Sequence, residues 1–172
     1  ITTETIREWN EKYGENLNGI QEVNTFKQFQ VGVDPYVIEG NPTSGLIPTI
    51  QSGELGNHGD PSPYIQGFCF RMCLTKEEDN RIPIDKPEDY DPGRYEIYRR
   101  YLKEGGRLFK PVANRHNGKT DIGSWHDLSA NLYGENWEYP AGNYEKQDSI
   151  INYHRSFTLG LLWFLQHDES VD

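Results

Sequence analysis

The segment from Glu145 to His167 has the strongest hydrophobic pattern in the chain, and it predicts a long helix. Apolar residues repeat along one side at helical spacing, and others extend that side around the helix. The first stripe holds Ile150, His154, Phe157, Leu161 and Leu165, and it is widened by Ile151, Thr158, Leu162, Trp163 and Phe164. A helix that is apolar nearly all round needs cover on several sides, and one small domain supplies little of it.

Length and composition indicate an acidic, folded, single-domain protein. The chain has 172 residues, 27 acidic and 17 basic side chains and a net charge of −10, and 13% of its residues are aromatic. Disordered chains are poor in such rings, so we expect one folded domain over residues 1–172. The acidic balance gives no long-range attraction for nucleic acid or anionic membranes, and no apolar run approaches the roughly 20 residues of a membrane span.

The segment Tyr64–Thr75 (YIQGFCFRMCLT) is the best predicted strand. Both of its alternating faces are largely apolar, which is typical of a central strand covered on each side. Arg71 is the exception on its face: it either pairs with a nearby carboxylate, as buried charges usually do, or binds an anion. Cys69 and Cys73 share that face at a separation of roughly 13 Å, too far for a disulfide bond, so we expect two buried thiols.

Several weaker elements complete the predicted fold. A helix is expected from Asp91, a suitable N-cap, to Glu104, which two glycines follow. We also expect a short amphipathic helix within residues 2–14, short strands and long loops within residues 15–63, and a short strand at Arg107–Val112. The prediction is an α+β fold, with a small, mainly antiparallel sheet around the best strand, two or three packed helices and long loops.

Several well-known functional motifs are absent from the sequence. It has no G-x-G-x-x-G after a strand, no phosphate-binding G-x-x-x-x-G-K-[ST], no G-x-S-x-G and no H-E-x-x-H. The five histidines are scattered and no paired C-x-x-C occurs, so we expect no metal site.

Residues 114–139 mix titratable groups, amides and flat rings, and they carry the candidate site. Rings supply apolar contact while amides and charges fix orientation, a combination that suits a small polar ligand. The candidates are Lys119, Asp121, Trp125, His126, Asn131, Tyr133, Trp137 and Tyr139. Histidine titrates near neutrality, so His126 is a candidate acid or base. The alternative is an ordered loop held by side-chain hydrogen bonds, and His154, on the helix stripe, is expected to be a satisfied core histidine.

Two blocks of the chain resemble one family, the FAD-dependent oxidoreductases that open with a Rossmann domain, a group that includes proteins described as xanthan-lyase-like. The block from Phe68 to Glu96 is similar to that family's R-x-C-L-T, N-R-I-P and K-P-x-x-Y-D-P run. The block from Asn117 to Asp168 resembles its K-T-D stretch, its G-x-N-W-x-Y-P turn and its H-R-x-x-T-x-G-L-L-x-F-L helix. The likeness extends over most of the chain.

The resemblance implies that the chain is an interior piece of a larger flavoprotein, namely its substrate-side (cap) region. FAD would be bound mainly by an N-terminal dinucleotide-binding domain that this sequence lacks, and that domain is the expected partner. This piece alone is expected to be inactive. The sequence leaves the compartment open, with a secreted or periplasmic location as one option, since we expect the native N-terminus to lie outside this chain.

The expected site residues come from their chemistry and loop position, because no family motif fixes them. His126 and Asp121 are the predicted catalytic residues. Substrate binding is predicted for Arg71, Lys119, Trp125, Asn131 and Tyr133. The alternative function is a stand-alone carbohydrate-binding module that stacks sugars on its aromatic rings, and a weaker reading is a glycoside-active enzyme that uses Glu135 or Glu138.

Overall fold

The computed structural model describes residues 31–53, 57, 64–65, 67–108, 115–123 and 128–171. Within these ranges lie two strands and two α-helices: β1 (Met72–Thr75), α1 (Glu96–Lys103), β2 (Lys119–Ile122) and α2 (Tyr144–His167). Short 3-10 turns occur at Pro42–Ser44, Glu78–Asn80, Pro92–Tyr95 and His116–Gly118. A small antiparallel sheet with two helices and loops confirms the predicted α+β class. The helix predicted within residues 2–14 lies outside the described residues.

Helix α2 matches the sequence prediction within one residue. Asn143 caps its start, because the side-chain oxygen of Asn143 accepts a hydrogen bond from the backbone N–H of Lys146 at 2.9 Å. Ile150, His154, Phe157 and Leu161 of the predicted apolar stripe are buried, with His154 at 3% exposure, and Leu165 is half-buried. No helix among the described residues combines the length and the hydropathy that crossing a membrane takes.

The predicted Asp91–Glu104 helix is also confirmed, with a 3-10 turn as its first part. The Asp91 carboxylate accepts a hydrogen bond from the Gly93 N–H at 2.8 Å, and Pro92 opens the turn that leads into α1. Gly105 follows the helix at φ +84°, a conformation that glycine adopts without strain, and so it ends the helix where the sequence indicates.

The core forms where the tyrosines around α1 pack against α2. Tyr95 and Tyr98 are 1% and 2% exposed, and the Tyr95 ring lies 5.5 Å from the rings of both Phe157 and Phe164. Each hydroxyl donates to a backbone carbonyl, Tyr95 to Phe157 at 3.0 Å and Tyr98 to Ser129 at 2.7 Å. Burial raises the pKa of both phenols. The core is therefore aromatic, and the two buried phenol hydroxyls are hydrogen-bonded.

Arg100 ties the loop before residue 38 to α1 from a buried position. It is 8% exposed, and its Nε donates to Glu96 at 2.8 Å. Its two Nη atoms donate to the carbonyl oxygens of Asp34, Tyr36 and Val37 at 3.0, 2.6 and 3.2 Å. We call this group the arginine anchor. The planar guanidinium of Arg100 donates to several acceptors at once, whereas a lysine carries a single ammonium group.

The prediction of a long central strand over Tyr64–Thr75 is wrong. Among the described residues of this segment only Met72–Thr75 forms a strand, and its antiparallel partner is Lys119–Ile122, with Met72 opposite Ile122 and Thr75 opposite Lys119. A strand needs a partner for its backbone N–H and C=O groups, and β2 supplies four residues, so the pairing ends at Met72. One face of the pair carries the buried Thr120 and Ile122, whereas the other face is open to solvent.

The prediction of two buried thiols is also wrong, and the smaller strand predictions lie partly outside the described residues. Cys69 is half-buried and Cys73 is exposed, so the two thiols are not a buried pair, although both are free. Arg107 and Leu108 lie outside any strand, and the rest of the strand predicted at Arg107–Val112 lies outside the described residues. Within the described part of residues 15–63 the only β pairing is a single bridge between Tyr36 and Leu46.

Candidate functional site

The solvent-exposed face of the strand pair brings together three of the predicted site residues. Strand alternation puts Lys119 and Asp121 on one face of β2, with Cys73 opposite Asp121. Arg71, which directly precedes β1, forms a hydrogen-bonded ion pair with Asp121. The Arg115 guanidinium lies 3.8 Å from the same carboxylate. Of the two roles considered for Arg71, its contacts match pairing with a carboxylate, although at 72% exposure its side chain is not buried as predicted.

Asp121 is a fixed negative charge in this arrangement. The hydrogen bond from Arg71 and then its charge lower the pKa of the Asp121 carboxyl, and the Arg115 charge adds to the effect. A carboxylate with a lowered pKa is a weak base and stays ionised at neutral pH. It is suited to orienting a cationic or hydrogen-bond-donating group, and the catalytic role of Asp121 stays a prediction.

We expect the Asp121 carboxyl to titrate below the ordinary aspartate value of about 3.9, and Arg71→Gln to move the midpoint back towards that value. The sign follows from linkage: a carboxyl with a lowered folded-state pKa adds stability above its unfolded pKa, and that stability is lost as the pH falls through the folded value. Carboxyl carbon resonances followed by NMR between about pH 2 and 7 would measure both midpoints.

Arg81→Gln is the matched control, because Arg81 is also exposed and pairs with another carboxylate, that of Glu78, at 2.9 Å. The control should leave the Asp121 midpoint where it is. An unchanged midpoint in Arg71→Gln would contradict the assignment of the shift to this ion pair.

Asn131 and Tyr133 form a second group beside Gly67. The Asn131 side-chain amide donates to the Tyr133 hydroxyl at 3.1 Å, and Gln51 donates to the Tyr133 carbonyl at 3.2 Å. A Cβ at Gly67 would lie 2.8 Å from the Tyr133 ring, so a glycine permits this close approach. His126 and Trp125, the other two predicted site residues, lie outside the described residues.

An aromatic cavity of about 280 Å³ lies between the segment that precedes β1 and helix α2. We define it by its six lining residues: Phe68, Cys69, Phe70, Tyr139, Ile151 and His154. Phe68, Phe70 and Ile151 are 37–39% exposed, so the cavity opens to solvent along these three side chains. Its volume is close to the lower end of the range for small-molecule sites, roughly 300 to 1,000 Å³.

The rings around the cavity contact one another in different orientations. Phe68 meets the Tyr139 ring nearly edge-on, at 5.5 Å and 76°, and lies almost parallel to His154 at 5.2 Å and 26°. Trp137, from the same stretch as Tyr139, has one face stacked on Tyr64 at 3.6 Å. Tyr139 is therefore part of the cavity wall, while one face of Trp137 is covered by another ring.

Cys69 is a potential nucleophile in the wall of the cavity, and its surroundings favour the protonated thiol. Burial raises the pKa of the Cys69 thiol, and the charge of Arg71 opposes the rise without cancelling it. Since the thiolate is the reactive form, Cys69 has the character of an inert wall residue rather than an activated nucleophile.

Sequence reasoning missed the aromatic cavity. It assigned Phe68 and Phe70 to one covered face of a long strand, and it assigned His154 to the core. His154 is buried as expected, but its ring is also part of the cavity wall. The signal lay in the pair of phenylalanines two residues apart, which share a face whether or not the segment is paired as a strand.

No group of three or more metal-ligating side chains is found within the described part of the chain. Comparison of the sequence and the structure with protein-family models, curated proteins and solved structures finds no match. The functional assignment therefore depends on the geometry above and on the sequence resemblance.

Proposed function

We propose that this chain is the substrate-side (cap) region of an FAD-dependent oxidoreductase and holds a small substrate against a flavin that another domain binds. The observation that carries the proposal is the orientation of the rings. Tyr139 and Phe68 turn into one cavity beside His154, and a face of Trp137 is covered by Tyr64. A cap directs its rings into a cleft in this way, whereas a carbohydrate platform presents coplanar rings to solvent.

The size of the aromatic cavity supports a substrate-side role and not a dinucleotide-binding one. About 280 Å³ fits a small substrate or one end of a flavin ring, and it is too small for a whole dinucleotide. When bound, the flavin supplies the hydride or electron transfer. In this proposal the apolar walls of the cavity exclude water, and the Arg71–Asp121 pair offers a fixed charge pattern to the polar end of a substrate.

The second candidate function, a stand-alone carbohydrate-binding module, has one observation in its favour. Tyr64 and Tyr133 are 48% and 41% exposed, which is more than a buried structural ring requires. Sugar-binding sites use such exposed rings for stacking. Whether the full-length protein binds flavin separates the two functions.

The test is the visible absorption spectrum of the purified product of the complete open reading frame that encodes this chain. We expect a flavin band that stays with the protein through gel filtration, because a cap region works only beside a bound flavin. A colourless product that remains colourless after incubation with FAD would contradict the proposal. Binding to a glycan array by that colourless product would favour the carbohydrate-binding module instead.

A further inference from the structure

His154 places an unpartnered hydrogen-bond acceptor in an apolar wall. The ring is 3% exposed, and its Nδ1 lies 2.9 Å from the carbonyl oxygen of Ile150, one turn earlier in α2. A carbonyl only accepts hydrogen bonds, so Nδ1 carries the proton, and in the neutral ring Nε2 presents a lone pair. Nε2 is buried, and no group in the described part of the chain hydrogen-bonds to it.

The His154 ring belongs to the wall of the cavity, and Nε2 is the ring nitrogen that has no partner. Nδ1 is held by the Ile150 carbonyl, so Nε2 is the nitrogen that remains for a ligand. His154 lines the aromatic cavity and lies almost parallel to Phe68, another of its lining residues. A buried acceptor without a donor costs free energy, and a ligand that supplies the donor recovers that cost.

We propose that the aromatic cavity binds small phenols. The ring of the ligand lies between Phe68 and the other apolar walls, and its hydroxyl donates to Nε2 of His154 after a small shift of the side chains that cover this buried atom. The volume of about 280 Å³ suits this class, because a cavity of roughly 150 Å³ is enough to hold benzene. Phe68 already packs edge-on against Tyr139 and nearly parallel to His154, and a flat aromatic ligand can make the same kinds of contact with these walls. The proposed binding is argued from the cavity alone. Only the further step, that a bound phenol is a substrate of the enzyme, would rest on the proposed function.

Phenol and toluene are the matched probes, because they have nearly the same shape and only phenol donates a hydrogen bond. A purely apolar cavity prefers toluene, since burying an unpaired hydroxyl is unfavourable. We expect the full chain, titrated by NMR, to bind phenol at least as tightly as toluene. Phenol should also shift the His154 Nε2 resonance far more than toluene does.

Two variants test the contact and the place. In His154→Leu the ratio of the phenol to the toluene dissociation constant should rise about tenfold. Ile151→Trp, which fills the mouth of the cavity, should remove binding of both probes. Asn152→Trp is the control, because Asn152 is an exposed neighbour on α2 and does not line the cavity.

Even if His154→Leu does not fold, measurements on the wild-type chain can refute the proposal. Toluene binding about tenfold tighter than phenol, no binding of either probe, or an Nε2 resonance that phenol leaves unmoved would each overturn it. The phenol and toluene measurements do not depend on whether the full-length protein binds flavin. Either proposal can therefore be refuted without the other.

Discussion

Replacing Arg100 with Met is expected to lower the free energy of unfolding by about 3 kcal/mol. Methionine keeps most of the aliphatic length of arginine, so the loss comes from the arginine anchor itself. The guanidinium is 8% exposed and donates to the Glu96 carboxylate and to the carbonyls of Asp34, Tyr36 and Val37. Removing it leaves these acceptors partly buried without their donor, which costs more than the net value of the bonds.

Lys103→Met is the matched control for the arginine anchor. Lys103 is also a cation on α1, but its side chain is 68% exposed and it pairs with the Glu39 carboxylate at 3.8 Å. An exposed pair of this kind contributes roughly 0 to 1 kcal/mol. Urea unfolding followed by circular dichroism gives both values. Equal losses in the two variants would show that the anchor contributes no more than a surface charge.

Gly160→Ala is expected to destabilise the protein by about 2 kcal/mol, although alanine is the better helix former by about 1 kcal/mol. A Cβ at position 160 would lie 3.0 Å from Tyr95 Cζ and closer still to the Tyr95 hydroxyl. Tyr95 has no free space to retreat, because it is 1% exposed and packs against Phe157 and Phe164. The close contact therefore outweighs the gain in helix propensity.

Two comparisons separate the close contact from helix propensity. Ser149→Ala, at an exposed position of the same helix, should be neutral or slightly stabilising. In a Tyr95→Phe background, which removes the oxygen that the new methyl meets, Gly160→Ala should cost clearly less than in the wild type. Thermal or urea unfolding of the four proteins of this cycle measures the coupling. The same cost in both backgrounds would rule out the Tyr95 contact as the cause.

The helices were predictable because their signals are local in the sequence. Asn143 and Asp91 cap the starts, and the apolar stripe of α2 repeats every three or four residues. The strand was not predictable in its length, because a strand is defined by its partner. Met72–Thr75 pairs with residues 119–122, which the composition assigned to a polar loop.

In the candidate site, too, local features were predictable from the sequence and long-range partners were not. For Arg71 the sequence left pairing with a carboxylate and binding of an anion both open. Its partner, Asp121, is 50 residues away, and no local pattern identifies it. The helix stripe predicted that His154 is buried. It did not predict that Nε2 lacks a hydrogen-bond donor, because that depends on the residues that pack around the ring. Sequence patterns thus predict which residues are buried better than whether their polar atoms are satisfied.

The arginine anchor has a consequence for how freely the loop it holds can vary. Two of its acceptors are the carbonyl oxygens of Tyr36 and Val37, a group that every amino acid carries. Asp34 is different, because its side chain also accepts from the backbone of Tyr36 and Gly40. The path of the loop is therefore set through the main chain, and the exposed side chain at position 37 is open to evolutionary drift, or to the grafting of a new recognition residue, without loss of its attachment to the helix.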